Sequence, residues 1–227
     1  MQFDNKKVII FDLDGTLIDS VPDLAVAVNY MLGVLKMEEY SQDTIRYWVG
    51  NGASTLVHRA LLGEADTSKA VDEELFNRGL KIFLEYYAQH LSHTTTLYPN
   101  VKTTLQELKQ QGFTLAIVTN KPFAFVEPIL SGLGIDKLFS LHLGGDSLEL
   151  KKPDPLPLLH VCEILNVSVD EAVMVGDSKN DILAANGAKM QSIGVSYGYN
   201  YGEAIEHYNP SIVVDDFGKI LAMMEGK

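Results

Sequence analysis

Residues 8–20 read VIIFDLDGTLIDS. The apolar run from Val8 to Phe11 ends in Asp12, Asp14 follows closely, and Gly15 and Thr16 break the pattern. A short apolar run bounded by a turn signal predicts a buried strand, though its length alone leaves a helix segment open. In a parallel sheet the C-terminal end of such a strand faces the ligand crevice, which places Asp12 and Asp14 there. Two carboxylates so close repel, so one protonates or a cation joins them. Mg2+ takes oxygen ligands of this kind and keeps room for substrate phosphate. The pair also suits covalent catalysis, with one aspartate attacking and the other moving protons. Read alone, the same letters are an Asp-rich turn.

Downstream, residues 21–37 carry apolar side chains at helical spacing, Leu24, Val28, Met31, Leu32 and Leu35 among them. Ser20 is read as the N-cap, and Pro22 suits the first turn. Ser41 opens a second short helix that runs through Ile45 and Trp48 and breaks at Gly50-Asn51-Gly52. Further helices are predicted over 53–62 and 72–90, the latter with Leu75, Phe76, Gly79, Leu80, Phe83, Leu84 and Tyr87 on one stripe. Residues 20–92 therefore read as all-helical.

After Tyr98-Pro99-Asn100 the pattern switches to alternation. Helices are predicted over 101–111, 123–133, 155–165, a segment including 181–186, and 219–224. Strands are predicted over 115–118, 139–143, 172–175, 192–195 and 212–214. This alternation predicts an α/β fold with a doubly wound, Rossmann-like parallel sheet. Its first βα unit is interrupted by a helical insert of about 70 residues, the size of a small domain. The expected division is a core of residues 1–19 and 93–227 and an insert of residues 20–92.

Polar residues mark the ends of the predicted strands: Asp12 with Asp14, Thr119 with Asn120, the stretch leading to Lys152, and Asp177 with Asp181. In a doubly wound sheet these ends converge on one crevice. So many carboxylates in one place need a divalent cation to stay ionised. Thr119 and Asn120 could donate an O–H and a backbone N–H to phosphoryl oxygens at a helix start, or merely cap that helix. Lys152 follows Lys151 and precedes Pro153-Asp154-Pro155, a stiff approach to the next helix. Asp181 could equally be an acidic residue favoured by a helix dipole. Each plain reading is fair singly, but the ordered set at strand ends outweighs them.

Composition narrows the partners. The net charge is −12, which disfavours non-specific nucleic-acid or anionic-membrane binding. A hydrophobic content of 46% supports a real core. Cys162 is the single cysteine, so no intrachain disulfide forms, and it reads as a packing residue. No apolar run reaches membrane-spanning length, and a soluble cytoplasmic protein is expected.

The ordered segments DLDGTL (12–17), VTN (118–120), KKPDP (151–155) and GDSKND (176–181) resemble the haloacid dehalogenase superfamily of phosphotransferases, across the whole chain. WVGNGA (48–53), VTNKP (118–122), GGD (144–146) and YGYNYGEAI (197–205) are similar to the bacterial phosphoglycolate phosphatase family. This resemblance implies that Asp12 attacks phosphorus and forms an aspartyl-phosphate, while Asp14 protonates the leaving alkoxide and then activates water. It implies Mg2+ held by Asp12, the Asp14 backbone carbonyl and Asp177, with Asp181 supporting through water. Thr119, Asn120 and Lys152 would neutralise phosphoryl charge. The insert would be a lid, a helical cap domain that excludes water and limits leaving-group size. Gly50, Asn51 and Gly52 could offer amides to a substrate carboxylate. Arg46, His58, Arg59 and Lys121 are further cationic candidates, each also readable as a surface side chain. The implied reaction is hydrolysis of a small anionic phosphomonoester, 2-phosphoglycolate first. A pyrophosphatase, a sugar phosphatase or a phosphomutase shares the spacing. A receiver-type signalling module is disfavoured by Asp14 and the large insert. The oligomeric state, monomer or homodimer, is left open.

Overall fold

The chain's β-branched runs become the central strands of a parallel sheet, and a computed structural model describes residues 3–224 of it. Strand β1 (Val8–Phe11) is wholly buried. It lies between β4 (Thr114–Val118) and β6 (Ala172–Gly176), pairing in parallel with both. Beyond them lie β5 (Leu141–Leu143) on one side and β7 (Gln191–Val195) and β8 (Ile212–Val214) on the other. The sheet order is β5-β4-β1-β6-β7-β8. The connections reverse direction at β1, so the crevice opens at its C-terminal end.

Strand alternation sorts the core into two faces. Ile9, Phe11, Ile117, Val173 and Val175 pack with α5 (Val101–Gln110), α6 (Phe123–Gly132) and α9 (Lys219–Met224). Val8, Ile10, Ala116, Val118 and Met174 pack with α7 (Leu156–Ile164) and α8 (Lys179–Ala188). On α8 the small Ala184, Ala185 and Ala188 let the helix lie close to the strands.

Between β1 and β4 the chain forms β2 (Ile18–Asp19), α1 (Val21–Val34), α2 (Gln42–Arg46), α3 (Ala53–Leu62), α4 (Glu73–Ala88) and β3 (Thr96–Leu97). Helices α1, α3 and α4 pack on one another, burying Met31, Leu32, Leu61 and Phe83. Ser41 caps α2 by accepting from the Thr44 amide, and Asp72 caps α4 by accepting from Leu75. The apolar cluster of the helical segment is continuous with one face of the sheet.

The outgoing and returning chains pair as an antiparallel ribbon, Ile18 against Leu97 and Asp19 against Thr96. Asp23, in the first turn of α1, ties the ribbon down. Its carboxylate accepts from the amides of Thr94 at 3.0 Å and Thr95 at 2.8 Å, and from both hydroxyls. Burial raises the Asp23 pKa, but these hydrogen bonds outweigh it and hold the carboxyl below its ordinary value.

Local differences from the sequence reading have physical causes. Helix α1 stops at Val34, before Met37, because Lys36 turns left-handed with φ 60°. The strand read over 139–143 begins at Leu141, since a 3-10 turn occupies Asp136–Leu138 and the Phe139 ring packs against Phe11. Ser20 makes no side-chain cap, because its hydroxyl is drawn to Asp14 Oδ1 at 2.5 Å. Among the described residues no helix is long and apolar enough to cross a membrane.

Candidate active site

Each central strand delivers one polar group to the crevice. Asp12 follows β1, Thr119 follows β4, Asp177 follows β6, and Lys152 arrives on the loop after β5. Asp12, Asp177 and Asp181 are buried, and an oxygen of each lies within 4.8 Å of the others. Lys152, only 2% exposed, reaches into them, 2.9 Å from Asp12 Oδ1 and 2.6 Å from Asp181 Oδ1.

The support is specific. Thr16 Oγ1 donates to Asp177 Oδ1 at 2.8 Å, and the Tyr199 amide donates to Oδ2 at 2.6 Å. Ser178 donates its amide and hydroxyl to Asp181 Oδ2, so Asp181 both caps α8 and holds Lys152. Gly15 has φ +87°, and a Cβ there would lie 2.2 Å from Asp177 Oδ2, so no side chain fits.

Electrostatics leave the cluster short of positive charge. Burial pushes Asp12 up to about 7 against the pull of Lys152, with Asp181 and Asp14 adding repulsion. Burial, then the charges of Asp181 and Asp12, push Asp177 well above the carboxylate range. Lys152 is depressed by burial, but Asp12 and Asp181 more than reverse this. Asp12 Oδ1 is ion-paired yet accepts no hydrogen bond of normal geometry. Buried carboxylates in excess over one ammonium, with oxygen donors only, fit a hard divalent cation.

Asp14 faces elsewhere. Its oxygens lie 2.9 and 3.0 Å from Lys121 Nζ. Lys121 is buried and stands over the Tyr87 ring, 4.9 Å from its centroid. Burial lowers its pKa, but Asp14 and Tyr87 raise it above the ordinary value. These groups border a small cavity of about 30 Å³ shared between sheet and helical segment. Asp12, Asp14, Thr119 and Asn120 line it from one side, and Leu24, Val49, Phe83 and Tyr87 from the other.

The remaining candidates divide. Gly50 and Gly52 border the cavity, whereas Asn51 turns aside and accepts from Tyr201 and Arg59. The Gly50 carbonyl accepts from Asn120 and Asn180, both at 3.1 Å. Thr119 Oγ1 accepts from the Lys121 amide, and Asn120 Nδ2 also donates to the Lys152 carbonyl. Arg46 pairs with Asp19 and stacks on Tyr199. Arg59 donates to the Trp48 carbonyl, and His58 lies against Phe76 within the helical segment. Of these cations only Lys121 lines the cavity.

Several groups escaped the sequence reading. Thr16 lay inside a quoted motif with no role assigned. Tyr87 looked like one more stripe residue of α4. In the 197–201 loop, Tyr197 donates to the Thr16 carbonyl, Tyr199 to Asp19 and Tyr201 to Asn51. The tyrosines at every second position were the signal, although bends and the left-handed Tyr201 (φ 54°), not strand alternation, set their directions.

Residues 9–195 match the family model described as haloacid dehalogenase-like hydrolase. A phosphoglycolate phosphatase of Colwellia psychrerythraea is 52% identical over 99% of this chain and 100% of its own length. One of Psychrobacter arcticus is 52% identical over 96% of this chain and 95% of its own. The crystal structure of a predicted phosphoglycolate phosphatase from Haemophilus somnus superposes with a TM-score of 0.91 at 43% identity, covering 96% of this chain and 98% of that one.

Proposed function

The chain belongs to the haloacid dehalogenase-like hydrolases and is a phosphoric monoester hydrolase, and we propose that it converts 2-phosphoglycolate to glycolate and phosphate. The observation that carries this reading is the ammonium of Lys152 set between Asp12 and Asp181, with Asp177 in the same buried cluster. An anionic phosphoryl group needs such a positive focus beside an attacking carboxylate.

A carboxylate oxygen of Asp12 attacks phosphorus as the bond to the leaving oxygen breaks, giving an aspartyl-phosphate. Asp14, as the acid, gives its proton to the departing alkoxide. It then takes a proton from water, whose oxygen attacks the same phosphorus and frees Asp12. Lys152, Thr119 and Asn120 neutralise the phosphoryl oxygens. Asp12, Asp177 and the Asp14 carbonyl would hold Mg2+, with Asp181 in support. That ion would supply positive charge to the phosphoryl group and keep the carboxylates ionised.

Residues 20–92 act as a cap domain over a core of residues 1–19 and 93–227, of which 1–2 and 225–227 lie outside the described residues. A cavity of about 30 Å³ admits little more than water, so substrate entry requires the cap to lift. The substrate is a small anionic ester met in the cytoplasm, and no nucleic acid or membrane is needed for the reaction.

Phosphate release from a substrate panel, with Mg2+ and with chelator, tests the reading. Phosphoglycolate is expected to have the highest kcat/KM, and chelator to abolish turnover. A higher kcat/KM for pyrophosphate or a hexose phosphate would overturn the substrate and leave the reaction class.

A further inference from the structure

We propose that Lys121 is the receptor for the substrate's carboxylate, and that it selects phosphomonoesters whose leaving group carries an acid. This rests on the phosphatase reading above and names the residue behind its selectivity.

Lys121 is the one cationic side chain among the described residues that line the Asp14 cavity. It is 4% exposed, and an ammonium so buried is destabilising unless it is partnered. Asp14 supplies that partner, but an ammonium has three donors, and a single carboxylate does not exhaust them. Beside it Tyr87 lines the same cavity, and its buried hydroxyl sits next to the Lys121 ammonium with no other partner among the described residues. An ammonium only donates, so the hydroxyl keeps its own proton free for an acceptor. The Lys121 charge and the Tyr87 hydroxyl proton thus stand beside Asp14, one from the sheet loop and one from α4.

The substrate's covalent geometry meets them. Proton transfer from Asp14 places the leaving oxygen within hydrogen-bond distance of its carboxyl group. In phosphoglycolate the carboxylate lies one carbon beyond that oxygen. Lys121 Nζ is 2.9 Å from Asp14 Oδ1, so the carboxylate falls within reach of the ammonium, beside the Tyr87 ring. Away from the strand-end polar groups the wall is apolar, with Leu24, Val49, Leu56, Phe83 and Phe125. On that side the hydroxyls of a sugar find few partners, which penalises polyol leaving groups.

The test compares phosphoglycolate with ethyl phosphate, which keeps the two-carbon leaving group and lacks the acid. The readout is the ratio of their kcat/KM values, measured on folded protein with Mg2+. A general effect on Asp14 cancels in that ratio. Lys121→Met should cut the wild-type ratio by about 100-fold, mainly through KM for phosphoglycolate, as expected for loss of a charge-assisted contact. Lys121→Arg should recover part of it, and Tyr87→Phe should lower it by about 5-fold. A ratio in Lys121→Met within about 3-fold of wild type overturns the proposal. Should Lys121→Met not fold, an unchanged ratio in both Lys121→Arg and Tyr87→Phe overturns it. If the wild-type enzyme shows no preference for any acid leaving group, the substrate reading falls as well. A wild-type preference that survives Lys121→Met removes only the role of Lys121.

Discussion

The cluster around Lys152 and the cavity around Lys121 each set a buried ammonium against aspartate, yet they are built differently. Asp12, Lys152, Asp177 and Asp181 all come from the strand-end loops of the sheet or the helix start that follows, and neighbouring backbone and hydroxyls hold them. Around Lys121 the ion pair belongs to the sheet loops, but half of the wall comes from α1, the 49–53 loop and α4. Chemistry common to every phosphomonoester can reside in a rigid frame. Discrimination between leaving groups sits where a second structural layer closes on the first.

That contrast breaks most sharply at Asp12. Asp12→Asn should lower turnover by about 10⁴-fold or more, equally for every phosphomonoester tried. Its denaturation midpoint should be unchanged or higher, because one of several mutually repelling buried carboxylates has become neutral. Residual activity near wild type would remove Asp12 from the attacking role.

A smaller effect is expected at the ammonium itself. Lys152→Met leaves Asp12 and Asp181 buried without their cation and should cost about 3 kcal/mol of stability in chelator. Excess Mg2+ should restore part of that loss in urea titrations, since the carboxylates then regain a positive partner. Equal loss with and without Mg2+ would show that no cation shares the cluster.

The mildest test lies outside both regions, where Asp23 of α1 anchors the ribbon between core and helical segment. Asp23→Asn should cost about 2 kcal/mol near neutral pH, because hydrogen bonds to an ionised acceptor are the stronger kind. The folded pKa of Asp23 lies below its unfolded value. Its stabilisation is therefore complete above the ordinary carboxylate range and fades as pH falls through the folded value. Urea midpoints of wild type and variant should converge on acidification, and a gap that widened there would refute the assignment.

Much of this was legible in the letters. Helices α3 and α9 and strand β8 fall where apolar spacing places them, and Gly52 and Gly63 bracket α3. The strand-end carboxylates were legible because a doubly wound sheet leaves them one place to go. Two-residue strands were not: β2 and β3 are too short to have a period, and their pairing is a long-range event. Lys121 read as a plausible surface lysine. Its burial comes from Asp14 and Tyr87, which are remote in sequence, and no local pattern carries that information. Ser20 likewise looked like a helix cap until a distant ion pair claimed the carboxylate it serves.

The ribbon has a consequence for how such proteins diversify. Because Ile18 pairs with Leu97, the intervening chain leaves and rejoins the core at one spot, and its further ties to the sheet loops run through Gly50, Asn51 and Tyr87. Away from those ties its length and sequence can drift without shifting the strand that bears Asp12. New specificities are then reachable by splicing one segment while the machinery for breaking the phosphate ester stays untouched.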